Sequence, residues 1–110
     1  MATLQEMHDA YGELYNALTS AYWVASNIED KDRIRGLADA VFDILTVLNQ
    51  QDIQGRTQQY QPLQSSIESV NSKLQHLSEE IDGIIHKVDI ASSVTSAIAK
   101  AANMAAKMPV

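Results

Sequence analysis

The stretch from Leu63 to Ala91, LQSSIESVNSKLQHLSEEIDGIIHKVDIA, decides the fold. Its apolar residues stand at Leu63, Ile67, Val70, Leu74, Leu77, Ile81, Ile84, Val88 and Ala91, in alternating steps of four and three without an error. That a/d spacing puts all of them on one narrow seam of an α-helix, the seam along which helices pack on one another. Up to Ile81 the shoulders of the seam are polar, with Gln64, Ser66, Asn71, Lys73, Ser78 and Glu80 beside it. The segment is therefore a helix with a helical neighbour on one side and water on the other.

Working back from it, the same pattern recurs at the N-terminus in Leu4, Met7, Tyr11, Leu14, Leu18, Ala21, Ala25 and Ile28. The register then breaks at Asn27, Glu29, Asp30, Lys31 and Asp32, and Ile34 comes in out of phase. A phase break beside a polar cluster predicts a helix–helix turn, with Asp30 as the N-cap candidate of a second helix. That helix carries Ile34, Leu37, Ala38, Val41, Ile44, Leu45 and Leu48, a wider stripe than strict a/d spacing. A glutamine-rich link over 50–61 follows. Gly55 suits the end of helix 2, Thr57 an N-cap, and Pro62 the first turn of helix 3.

These signals predict an all-α single domain over 1–110, with helices at about 3–28, 31–53 and 60–106. At ~1.5 Å per residue helix 3 would be about 65–70 Å long, against about 35–40 Å for each of the others. The expected architecture is a three-helix antiparallel, coiled-coil-like bundle whose third helix extends beyond the first two. The alternative is a four-helix up-down bundle with a turn near Asp82-Gly83. The continuous helix is preferred because the heptad phase passes through Gly83 intact, from Ile81 to Ile84 and Val88.

From Ile84 onward the shoulders turn apolar, with Ile85, Val94, Ala99, Ala101, Ala106 and Met108 joining the stripe. A broader apolar face calls for more than one neighbour or a membrane surface. Residues 1–56 hold nine acidic and four basic side chains, whereas 90–110 hold only Lys100 and Lys107. The basic end suits the acidic body of another copy. Membrane contact is the weaker expectation, because alanine buries little area and instead permits close helix approach. Trp23 falls at an outward position and Phe42 outside the main stripe of helix 2. The expected partner or oligomer contacts are Trp23, Phe42, Ile84, Ile85, Val88, Val94, Ile98 and Met104.

Composition narrows the function classes. The chain has 110 residues, no cysteine and a net charge of -6. There is no thiolate metal site or disulfide framework, and the acidic balance disfavours a nucleic-acid binder. No carboxylate or histidine falls on an apolar seam, where desolvation would tune it for acid–base chemistry. His76/Glu80 and Asp82/His86 have the i,i+4 spacing of a surface metal pair but no further ligand. No catalytic residue, metal, cofactor or small-molecule substrate is expected, and the chain reads as a non-enzyme. The N-terminus shows neither a basic n-region nor an apolar run, so a cytoplasmic location is expected, with signal-less secretion open.

Size, acidity, lack of cysteine and a tryptophan close to a turn resemble the small WXG-type secreted helical hairpins. The turn itself reads Trp23-Val24-Ala25-Ser26-Asn27, without their glycine, and a further long helix follows. No family is assigned on that basis. The expected function is a non-catalytic helical interaction module that self-associates or binds another helical protein, as a scaffold, adaptor or chaperone-like partner. The alternative is a secreted or membrane-active helical protein that acts through its Ala-rich C-terminal helix.

Overall fold

The computed structural model describes residues 4–49 and 57–106, with side chains described over 5–46 and 65–104. The described residues form an all-α structure: α1 spans Leu4–Val24, α2 Ile28–Asn49, α3 Thr57–Ile84 and α4 Val88–Ala106. Each helix packs on its neighbours in sequence, and α4 returns to α1 to close the square. Neither diagonal pair of helices approaches closely along the backbone among the described residues. The long axis of 44 Å matches α3, whose 28 residues span about 42 Å.

Apolar periodicity explains why these segments are helical and which way they face. Met7, Tyr11, Leu14, Leu18 and Ala21 of α1 are buried, as are Ile34, Leu37, Val41 and Ile44 of α2. Ile67, Val70, Leu74, Leu77, Ile81 and Ile84 line the inner face of α3. All join one cluster at the centre of the square. Burying a Leu or Ile in full is worth about 1.5–3 kcal/mol, so this cluster dominates the stability. α1 packs more extensively on α2 and α4 than α3 does. The alanines that α1 and α4 present, Ala10, Ala21, Ala97 and Ala101, allow that close approach.

The structure differs from the expected third helix at one place. Residues 60–106 do not form a single rod: α3 ends at Ile84, the chain reverses over Ile85, His86 and Lys87, and α4 begins at Val88. Gly83, the expected turn residue of the alternative, lies inside α3. The reversal is tied to the α1–α2 turn by an antiparallel bridge between Ala25 and Ile85. Ser26 adds a hydrogen bond, donating from Oγ to the Ile84 carbonyl at 2.8 Å. These links satisfy backbone groups that a helix end leaves open.

Two smaller differences concern helix starts. Asn27, not Asp30, caps α2: its Oδ1 accepts the Asp30 N–H at 2.8 Å. Asp30 sits instead in the first turn, where its charge suits the helix dipole. α3 begins at Thr57, so Pro62 lies beyond its first turn and Gln58, Gln59, Gln61 and Gln64 belong to the helix. Gly55 and the rest of the glutamine-rich link fall outside the described residues.

Candidate interaction surface

Folding back gives the C-terminal segment its cover. Ile84, Ile85, Val94 and Ile98 are buried in the chain's own core, with Ala91, Ala97 and Ala101 beside them, and Met104 packs against its edge. These residues belonged to the expected contact set because a rod of that length had to find neighbours elsewhere. In the bundle α1 and α3 supply them: Ile84, Ile85, Val94 and Ile98 lie inside the closed chain, and Met104 is partly buried at the edge. The apolar face of α4 that a membrane reading needs is turned inward for the same reason.

The other three expected contacts are at the surface. Trp23 is 72% exposed, Phe42 53% and Val88 82%, and Ile28, which sequence reasoning placed on the α1 seam, is 74% exposed. Three of these four share one end of the bundle. Trp23 lies in the last turn of α1, Ile28 opens α2 and Val88 opens α4, around the linked turns at 25–27 and 85–87. Ile28 could not be found by phase, because it continues the α1 seam in number while the turn before it redirects the chain.

Local contacts hold Trp23 in place while leaving it exposed. Its ring meets the Tyr22 ring edge-on, with centroids 5.3 Å apart and planes at 82°. Lys31 Nζ lies 5.0 Å over the opposite partner in that pair, the Tyr22 ring, and donates to the Tyr22 carbonyl at 2.9 Å. A cation over a ring adds about 0.5–1 kcal/mol at an exposed site. Farther from the turns, Phe42 leans on Tyr15 at 5.7 Å along the outer seam of α1 and α2. Acidic side chains surround the turn end, with Glu29, Asp30 and Asp32 on α2, Asp82 on α3 and Asp89 on α4. Lys31 and Lys87 are the lysines among them.

Two shallow grooves run along the sides. The one between α2 and α3, about 570 Å³, is lined by Arg33, Gly36, Ala40, Lys73, His76 and Glu80, among others. An Arg33–Glu80 ion pair bridges it. The one between α1 and α4, about 380 Å³, includes Ser92, Ser93 and Ser96, and is bridged by Lys100 and Glu13 at 3.0 Å. Exposed pairs of this kind contribute about 0–1 kcal/mol. Of the two i,i+4 pairs, Asp82/His86 loses its helical geometry because His86 lies in the turn, and Glu80 of the other faces Arg33. No group of three or more His, Asp or Glu capable of holding a metal occurs among the described residues.

One polar contact crosses the core. The Tyr11 hydroxyl on α1 donates to Asn71 Oδ1 on α3 at 3.1 Å. Burial pushes the Tyr11 phenol up to about 12, although the Asn71 contact draws it the other way. A phenol held neutral and hydrogen-bonded in this way ties α1 to α3 across the core. No helix of the described residues is long and apolar enough to cross a membrane. Compared with protein families, curated proteins and solved structures, the chain matches none of them.

Proposed function

We propose that this chain is a non-catalytic helical interaction module, and that its contact surface is the turn end of the bundle. The observation behind this reading is the convergence of Trp23, Ile28 and Val88, all largely exposed, on one end. Single exposed apolar residues are ordinary on a protein surface, whereas here three large ones gather at one end of the bundle, around a pair of linked turns. Tryptophan is among the residue types that most often anchor a contact.

The test is a photo-crosslinking side chain placed at position 23 in cells that make the protein, with Ser69 and Ser93 as exposed control positions. An adduct of defined mass from position 23, weakened by Ile28→Ser, is the expected result. Adducts of equal yield from all three positions, or none from position 23, would overturn the reading.

A further inference from the structure

The turn end has an exposed rung that belongs to a different packing. Val88 sits four residues after Ile84 and three before Ala91, on the seam of the continuous ladder, yet it is 82% exposed because the chain reverses just before it. We propose that residues 85–87 are a hinge, and that two copies of this chain exchange α4 by straightening the hinge into one helix from α3 into α4. This deepens the reading above and rests on it: the turn end is the contact surface, and the occupant is a second copy.

Four observations carry the proposal. The hinge is three residues long, and Ile85, His86 and Lys87 include neither proline nor glycine, so each is compatible with a helix interior. Short hinges of this kind favour exchange of an element between copies. Second, exactly one heptad separates Ile84 from Ala91, the last buried seam residue of α3 and the first of α4. Straightening therefore leaves both inner faces on one stripe and returns Val88 to it. Third, α4 packs on α1 and α3, and an exchanged α4 makes the same contacts on the other copy, so no new core is needed.

The fourth observation concerns the rest of the patch. A helix running straight from α3 into α4 leaves its own bundle through the turn end and enters the other bundle through that copy's turn end. The two bundles then lie end to end, and the two long helices run antiparallel past each other about residue 86. Trp23 and Ile28 of both copies are brought towards the same junction. The proposal thus accounts for all three exposed apolar residues of the turn end with one partner.

The chain has no cysteine, which makes the exchange directly readable. Glu13 on α1 and Lys100 on α4 pair at 3.0 Å. In a Glu13→Cys/Lys100→Cys variant a short bis-maleimide joins the two positions within one chain if the bundle is closed, and between chains if α4 is exchanged. The expected result is a covalent species at twice the 12.1 kDa chain mass, increasing with protein concentration during refolding. Adding Val88→Pro should remove it. Proline is tolerated in the first turn of α4, where its missing N–H is not needed, but not within a continuous helix. Val88→Ser, which keeps the helix and removes the apolar side chain, should only weaken it.

Intrachain linkage alone at every concentration overturns the exchange and leaves the turn-end reading to the crosslinking at position 23. A dimer by light scattering that survives Val88→Pro but is lost in Trp23→Ser/Ile28→Ser also overturns the exchange, and retains the turn end as a docking surface between closed copies. A dimer indifferent to positions 23, 28 and 88 overturns both. Circular dichroism of each variant separates these outcomes from simple failure to fold.

Discussion

Tyr11 is the residue at which the interior is most sensitive to chemistry. Its phenol has an ordinary value of 10.0 and is raised to about 12 by burial. The folded chain therefore keeps this proton where the unfolded chain releases it. The associated stability is complete below pH 10 and is lost as pH rises from 10 towards 12, by about 2–3 kcal/mol in all. Urea unfolding at stepped alkaline pH should show that loss in the native chain and a smaller one in Tyr11→Phe. At neutral pH the same substitution should cost about 1 kcal/mol, because Asn71 Oδ1 loses its donor. Equal alkaline slopes in the two proteins would refute the assignment. The buried position of Tyr11 was legible from its place on the α1 seam. Its pairing with Asn71 was not, because sequence spacing puts Asn71 on a polar shoulder and gives no distance across a bundle.

At the scale of the elements, the buried seams of α1, α2 and α3 were legible, and the boundaries were not, above all the one that divides α3 from α4. Met7 to Ala21, Ile34 to Leu45 and Ile67 to Ile84 are buried where their periodicity places them. The turn between α3 and α4 escaped for a definite reason. A reversal that leaves seven residues between successive buried rungs does not shift a heptad phase, whereas the α1–α2 turn did shift it and was seen. The N-cap of α2 was misplaced by three residues because Asn27 and Asp30 are both good capping residues within one polar cluster. Glycine gives an element-level prediction. Gly12, Gly36 and Gly83 lie inside helices, and a Cβ at any of them would meet no atom within 4 Å. Each replacement by alanine should stabilise the chain by about 0.5–1 kcal/mol, since helical glycine loses more backbone freedom and gains no packing here. Thermal unfolding of the three single variants tests this, and a lowered midpoint for Gly12→Ala or Gly36→Ala would count against its placement in a helix interior.

For the whole molecule, the fold reconciles an apolar ladder too long for two short helices with a chain that covers its own core. Folding leaves apolar side chains outside at the turn end and, away from it, at Phe42, and the contact residues expected from sequence divide between surface and core. Trp23, Phe42 and Val88 are exposed, while Ile84, Ile85, Val94 and Ile98 are interior. The surroundings of the turn end also set how association should respond to salt. Glu29, Asp30, Asp32, Asp82 and Asp89 outnumber Lys31, Arg33 and Lys87 there, so two like ends repel. Screening contracts from about 30 Å at 0.01 M salt to about 3 Å at 1 M. Self-association should therefore strengthen as salt rises, while a basic partner at the same surface would show the opposite trend.

Trp23 is the chain's single tryptophan, so its emission reports on the turn end alone. The most direct measurement is molar mass by light scattering over a hundredfold range of protein concentration, with Trp23 emission and quencher access read in the same samples. The account predicts a dilute 12.1 kDa chain with a wet tryptophan, passing at high concentration to twice that mass with blue-shifted, protected emission. A chain that doubles in mass with Trp23 unchanged, or that stays single with Trp23 wet throughout, would contradict it.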